Sequence, residues 1–312
     1  MPTNLPRNRA FDIPPGTMVT GKWHGKQYQI IKPLGSGGQG AVFLAHSERG
    51  RVALKFSTDQ ANIASEVNVL NKFSKVRGDS LGPSLYDVDD WTTGRGTFAF
   101  YAMEYIRGTP LLECVRVRGF EWAPIFILQL LKDLDKLHRE GWVFGDLKPE
   151  NLIVTGPPLK VRWLDVGGTT PMGRAIKEYT EFFDRGYWGM GTRKAEPSYD
   201  LFAVAMIMIN LADMRRFEKG DDPKKQLLTH VMRHRKLAPF YDEIKGALTG
   251  AYPSAAAMRA DLLNKTNGTI GSDDRITNRK TRTKKKKEWK GTVILACAVL
   301  FAYFMYVAIF MM

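Results

Sequence analysis

Gly145-Asp146-Leu147-Lys148-Pro149-Glu150-Asn151 is followed, fourteen residues beyond Asn151, by Asp165-Val166-Gly167. Together the two strings bring Asp146, Lys148, Asn151 and Asp165 into one short span of chain. Phosphoryl transfer asks little covalent chemistry of a protein. It needs oxygen ligands for a metal, positive charge against the moving phosphate and an acceptor for a hydroxyl proton. These four side chains supply all three. Each taken singly reads equally well as a polar residue on a surface loop; the ordered set is much harder to reach by chance.

Upstream lies Gly35-Ser-Gly37-Gly-Gln-Gly40-Ala-Val42. Glycines let a tight hairpin set its backbone amides against phosphate oxygens, although most Gly-rich hairpins are only turns. A dinucleotide site would need a helix after the glycines. Here Ala-Val-Phe-Leu-Ala continues as a strand, so that reading fails. Val52-Ala53-Leu54-Lys55 places a lysine in an apolar strand, either as an edge residue or as an inward phosphate ligand. Glu66 follows eleven residues later and could hold that ammonium toward an anion. β-type runs are expected at 27–34, 41–46, 52–56 and 97–103, with a helix at about 59–74 on which Ile63, Val67 and Leu70 share a face. A strong helix is expected at 122–140, with Pro124 in its first turn and an apolar face of Ile127, Leu128, Leu131, Leu134 and Leu137. Residues 201–211 read as a buried core helix, too short to span a bilayer and interrupted by Asn210.

The composition, 44% hydrophobic and 25% charged, excludes a disordered or fibrous chain. Two cysteines, Cys114 and Cys297, make no disulfide framework and suit a reducing compartment. Of the net charge of +14, residues 275–290 carry +8, which leaves +6 for everything else. That basic segment comprises Arg275, Arg279, Lys280, Arg282, Lys284, Lys285, Lys286, Lys287 and Lys290, against Glu288 alone. Residues 291–312 carry no charge. As a helix they would cover about 33 Å, enough for a hydrocarbon core of about 30 Å. A helix of that length buried in a core should show a polar face, and this one has none. Trp289 suits a headgroup anchor, and the basic run before it keeps the body on the cytoplasmic side. The expected organisation is a loose arm at 1–17, a catalytic domain at 18–263, a basic linker at 264–290 and a single C-terminal transmembrane helix at 291–312. Three readings stay open for the basic segment: a solvated linker, a clamp on anionic lipid, and a tether to DNA phosphates. With Trp289 as its only aromatic, it offers no platform for base stacking.

The ordered set Gly35-x-Gly37-x-x-Gly40-x-Val42, Ala53-Leu54-Lys55, Glu66, Asp146-x-Lys148-Pro149-x-Asn151 and Asp165-x-Gly167 resembles the bacterial Hanks-type serine/threonine protein kinases. Met103-Glu104-Tyr105 resembles their hinge, Asp200 the Asp that opens their central helix, and Pro253-Ser254-Ala255 their last helical region. The resemblance covers roughly 20–263. The basic segment and tail resemble the layout of membrane-anchored sporulation kinases of bacilli, whose basic segment is thought to bind DNA. The resemblance implies an α+β, two-lobed kinase fold, with a β-rich N-lobe and a helical C-lobe holding ATP and Mg²⁺ between them. By position, Lys55 would hold the α/β-phosphates and Glu66 would hold Lys55. Asp146 would take the proton of a substrate Ser or Thr, and Lys148 would neutralise the transferring phosphate. Asn151 and Asp165 would bind Mg²⁺. Val42 and Ala53 would touch adenine, with the Glu104 carbonyl and Ile106 amide as its hinge partners. Implied partners are ATP, Ser/Thr protein substrates, DNA or anionic lipid, the membrane and a transient second copy of the chain. A small-molecule kinase of related fold is disfavoured by Lys148, and a pseudokinase scaffold by the complete catalytic set.

The chain departs from the family in three places. Gly145 stands where the family has the Arg that meets an activation-loop phosphate, so activity should not need phosphorylation at Thr169, Thr170 or Thr180. Phe144 and Val166 replace a His and a Phe, which reads as a volume-conserving repacking. No Ala-Pro-Glu lies between Asp165 and Asp200, and Tyr252 stands where its Arg partner should be. Losing both members of that pair avoids a buried unpaired charge.

Overall fold

A computed structural model describes residues 11–37, 40–75 and 82–267. The described residues up to Leu262 form one compact unit, and those from Leu263 onward belong to a second. The basic segment 275–290 and the expected transmembrane helix 291–312 lie outside the described residues. Among those described, no helix is long and apolar enough to cross a membrane.

The first half of the chain is a six-stranded antiparallel sheet. Its strands are β1 (Met18–Thr20), β2 (Gln27–Gly37), β3 (Gly40–Ser47), β4 (Gly50–Ser57), β5 (Leu85–Thr93) and β6 (Gly96–Glu104), in the spatial order β1-β2-β3-β4-β6-β5. Helix α1 (Gln60–Lys75) crosses between β4 and β5. In a strand, alternate side chains face opposite sides. One face of the sheet, with Ile30, Phe43, Val52, Leu54, Phe56 and Phe100, makes its own core. Ile13 and Phe11, from the segment expected to be a loose arm, pack against that core, with Phe11 5.3 Å from the Phe98 ring. The other face, with Ala53, Tyr101 and Met103, joins the core of the helical half.

Strand β5 was not visible in the sequence because Asp87, Asp89 and Asp90 make it look like a turn. Two of these carboxylates are buried. Asp89 accepts from the Trp23 and His24 amides at 2.9 and 2.8 Å. Asp87 accepts from Tyr28 Oη at 2.8 Å and lies 3.1 Å from Lys26 Nζ. The strand's backbone pairs with β6, while donors from the β1–β2 hairpin meet its carboxylates. Burial pushes both carboxyls up, but the hydrogen bonds outweigh it and hold both below the usual Asp range. A depressed folded pKa gives stability that is complete above the unfolded value, about 3.9, and is lost as pH falls through the folded value. Asp89→Asn should therefore melt below the parent at pH 6, and the gap should close as pH drops under about 4. Melting curves that stay equally separated down to pH 3 would contradict this.

The second half is helical. α2 (Leu111–Arg118) precedes α3 (Trp122–Arg139), whose buried stripe includes Phe126, Ile127, Leu130, Leu131, Leu134 and Leu137. Leu128, expected on that face, is only partly buried, and Leu130 takes its place. Along a helix of 3.6 residues per turn, 127, 130, 131 and 134 share one stripe, and 128 sits at its edge. α4 (Pro197–Asp213) is buried on all sides from Tyr199 to Ala212, as an all-round apolar helix must be. It is packed by α3 and by α6 (Tyr241–Leu248). Asn210 is satisfied by donating to Arg215 O at 3.0 Å. α5 (Pro223–Arg233) is capped by Asp222, which accepts from the Lys225 amide. Residues 255–267 form the last described helix and bury Ala255, Met258 and Leu262. Two small antiparallel sheets are set within the helical half, most of their strands falling between α3 and α4. They are β7 (Thr109–Pro110) and β10 (Lys160–Trp163), either side of β9 (Leu152–Thr155), and β8 (Trp142–Val143) with β11 (Thr170–Pro171). The Asp146–Asn151 loop joins β8 to β9, and Asp165 follows β10.

Candidate active site

Cross-strand register puts Val42 opposite Lys55, Lys55 opposite Tyr101, and Ala53 opposite Met103. Directly opposed residues share a face, so these five side chains line one side of the sheet. This settles the question left open by the sequence: Lys55 points inward and is 5% exposed. Its Nζ donates to Glu66 Oε1 on α1 at 2.8 Å and to Asp165 Oδ1 and Oδ2 at 3.1 and 3.3 Å. Burial alone would lower the ammonium pKa, but Asp165 and Glu66 outweigh it and hold the charge in place. Burial likewise works to raise Asp165, and Lys55 with the Gly167 amide brings it below the usual range. Tyr101, not singled out in the sequence, donates to Glu66 Oε2 at 2.6 Å and so fixes the carboxylate that fixes Lys55.

Asp146 is held from three directions. Lys148 Nζ donates to its Oδ2, and Thr180 Oγ1 donates to its Oδ1 at 2.9 Å. Lys148 also reaches Thr180 Oγ1 at 3.1 Å. Asn151 Nδ2 donates to the Asp146 carbonyl at 2.8 Å. Because that bond uses the Asn151 nitrogen, its amide oxygen is the atom left to coordinate. With the anionic Asp165 it makes a hard-oxygen pair of the kind Mg²⁺ takes. Glu178 adds a half-buried carboxyl, raised by burial and by the charges of Asp165 and Asp146.

The backbone of this loop hangs from the start of α4. Asp200, fully buried, accepts from the Phe144 and Gly145 amides at 2.8 and 3.0 Å, and His138 Nε2 lies 2.9 Å from it. Gly145 has φ +84°, where a Cβ would lie 2.5 Å from Gly168 O. Gly40, in the Gly-rich hairpin of β2 and β3, has φ +151°, and a Cβ there would meet Phe56 O at 1.9 Å. Phe144 and Val166 are each 1% exposed in the shared core. The Phe144 ring packs at 5.0 Å on Trp163, which packs at 5.9 Å on Phe73 of α1. Phe73, Trp163 and Phe144 thus form a run of edge-packed rings from α1 to the catalytic loop.

The activation segment differs from expectation. Thr169 and Thr170 are buried, Thr170 within β11, and Thr180 is bound to Asp146 and Lys148. None of the three is a free loop site, and Thr180 belongs with the catalytic pair. The missing Ala-Pro-Glu anchor is replaced by Asp184, 0% exposed. It accepts from the Gly186 and Tyr187 amides, from Tyr199 Oη at 2.9 Å and from Arg193 Nε at 2.8 Å. Arg185 donates to Glu196 Oε1 at 2.6 Å and to Ser198 Oγ at 2.7 Å. Tyr252 turns instead to Asp261, at 3.1 Å. Such a web carries no signal in a single sequence, since Asp184 and Arg193 look like ordinary loop charges.

At the hinge, Ile106 is buried just beyond β6. The Glu104 carboxylate is engaged by Arg162 of β10 at 2.5 and 3.0 Å and by the Ser84 amide at 3.2 Å. Arg162 was not singled out in the sequence.

The protein kinase domain family matches residues 28–266. The chain is 53% identical over 257 residues to the serine/threonine-protein kinase YabT of Bacillus subtilis, covering 82% of this chain and 76% of that protein. It is 22% identical over 285 residues to the serine/threonine-protein kinase PknB of Mycobacterium tuberculosis, covering 80% of this chain and 45% of that one. It is 30% identical over 169 residues to the serine/threonine-protein kinase PknG of Mycobacterium leprae, covering 51% and 21%.

Proposed function

This chain belongs to the protein kinase family and is an ATP-dependent serine/threonine kinase that uses Mg²⁺, and we propose that it works at the inner face of a membrane and is stimulated by DNA. The observation that carries the catalytic assignment is the joint assembly of Lys55–Glu66, Lys55–Asp165 and Asp146–Lys148–Thr180. In this reading Asp146 accepts or orients the proton of the substrate hydroxyl, held to its angle by Thr180. Lys148 offsets charge on the transferring phosphate. Lys55 holds the α/β-phosphates, and Glu66 with Tyr101 keeps it there. Asn151 and Asp165 hold Mg²⁺, which when bound neutralises phosphate oxygens. Gly35, Gly37 and Gly40 let the hairpin amides approach the phosphates. Val42 and Ala53 contact adenine, and the Glu104 carbonyl and Ile106 amide bond its edge. The Lys55–Glu66 pair is formed with Gly145 in place of the phosphate-reading Arg. That supports activity without a phosphorylated loop. A scaffold without catalysis would have no need for the full set.

The membrane and DNA readings rest on sequence. Residues 291–312 are uncharged and long enough to span, and +8 precedes them. The same layout supports the reading of a sporulation kinase. Because phosphate contacts carry no base information, binding should show weak sequence preference. If the segment concentrates kinase domains on one polyanion, trans-autophosphorylation should rise and then fall as DNA is added, since excess DNA separates the copies. Affinity should fall with salt by a slope of about −0.9 per duplex phosphate neutralised. The test is radiolabelled-ATP autophosphorylation of the chain through Lys290 across a DNA titration at low salt, beside a chain ending at Gly271. A flat response, or an equal response from the shorter chain, would leave only the lipid-clamp or linker reading.

A further inference from the structure

We propose that Arg162 is a positioning residue for nucleotide recognition: through the Glu104 carboxylate it sets the hinge backbone that selects adenine. The proposal rests on the reading of the Glu104 carbonyl and Ile106 amide as the adenine partners.

Glu104 ends β6 and is tied on three sides. Its amide donates to Ser84 O at 2.8 Å, and its Oε2 accepts from the Ser84 amide at 3.2 Å. This reciprocal pair joins the hinge to the start of β5. The third tie comes from β10. Arg162 Nη1 and Nη2 meet Glu104 Oε1 and Oε2 at 2.5 and 3.0 Å, a fork-to-fork contact that fixes direction as well as distance. Arg162 Nη2 donates also to Gly82 O at 3.0 Å. Gly82 is itself seated tightly. A Cβ there would lie 3.2 Å from Val166 Cγ1, 3.5 Å from Phe73 Cδ2 and 3.8 Å from Leu70 Cδ2. One guanidinium therefore spans the hinge and the backbone packed on α1 and on the Asp165 loop. Asp165 lies three residues further along the chain, just beyond β10.

The ion pair is only partly exposed, 19% for the Arg162 side chain and 25% for Glu104. Burial works to raise the Glu104 carboxyl, and the Arg162 contact overcomes it and keeps the group ionised. With amide and carboxylate both fixed, the Glu104 carbonyl has little freedom left. Adenine offers a donor at its 6-amino group and an acceptor at N1; guanine reverses both. A carbonyl followed two residues on by an amide matches adenine only while that backbone is held in place.

Arg162→Gln should raise KM for ATP about tenfold, the loss of one well-aligned hydrogen bond. The preference for ATP over GTP should shrink by a similar factor, while kcat at saturating ATP stays within about threefold. Arg162→Lys should recover part of both, because an ammonium cannot engage two oxygens as a fork does. Glu104→Gln should match Arg162→Gln, and the double variant should be no worse than either, the signature of one shared interaction. Thermal melts check folding in each case. An unchanged KM and unchanged purine preference in Arg162→Gln would overturn the proposal. So would an equal rise in KM for ATP and GTP, which marks general loosening, or additive effects in the double variant. Ile106→Pro, which removes the hinge N–H, separates the two layers. If it spares ATP use, the adenine reading itself is wrong; if it impairs ATP use while Arg162→Gln is silent, only the Arg162 role falls.

Discussion

Asp146→Ala should lower autophosphorylation by about a hundredfold to ten-thousandfold, the range that a positioned acid–base group contributes. The fold should survive. The loop backbone is carried by Asp200, through the Phe144 and Gly145 amides, and Asp146 supplies none of that support. What is lost is the acceptor that Lys148 and Thr180 hold in place. Lys55→Ala should also abolish most turnover, by a second route. It leaves Glu66, 3% exposed, without its cation, and breaking a buried pair from one side costs about 3–5 kcal/mol. A domain has only about 5–15 kcal/mol in hand, so α1 should loosen and melting should drop. Combining Lys55→Ala with Glu66→Gln removes the deeply buried orphaned charge, leaving only the half-exposed Asp165 without its cation, and should recover much of the stability without recovering activity. Near-normal turnover in Asp146→Ala, or recovered activity in the double variant, would remove the catalytic roles assigned here.

Trp163→Ala should be the most damaging change away from the reacting groups. Trp163 is 1% exposed, and its ring lies between Phe73 of α1 and Phe144 of the catalytic loop. Truncating a buried Trp costs about 3–5 kcal/mol in lost burial and residual cavity. For a domain of this size each kcal/mol moves the midpoint by about 2–4 °C, so a fall of roughly 10 °C is expected. Activity should fall further than folding alone explains, because the cavity opens between α1 and the catalytic loop. Trp163→Phe should lose less of both. The check is a pair of thermal melts with turnover measured well below each midpoint. A Trp163→Ala protein with parental melting would mean that the three rings carry no shared load.

The phosphoryl-transfer set is legible in the sequence because it is local: Asp146, Lys148, Asn151, Asp165 and the glycines sit at spacings that loops and hairpins impose on nearby residues. The buried helix at α4 and the apolar stripe of α3 were legible for the same reason, since periodicity is a short-range property. Strand β5 was hidden because its buried residues are aspartates, and a carboxylate is tolerable inside only when a distant hairpin brings it donors. Whether Lys55 faces in or out depended on strand register, which pairs residues from β3, β4 and β6. Thr180 looked like a modification site until the activation segment folded back onto Asp146. Asp184 with Arg193, and Arg162 with Glu104, join segments 9 and 58 residues apart. In each case the side chain is an unremarkable charge in sequence, and its role comes from the partner that folding brings within hydrogen-bonding distance. Spacing along the chain specifies which chemistry is present, while burial and long-range pairing decide which of the remaining charges hold it in place.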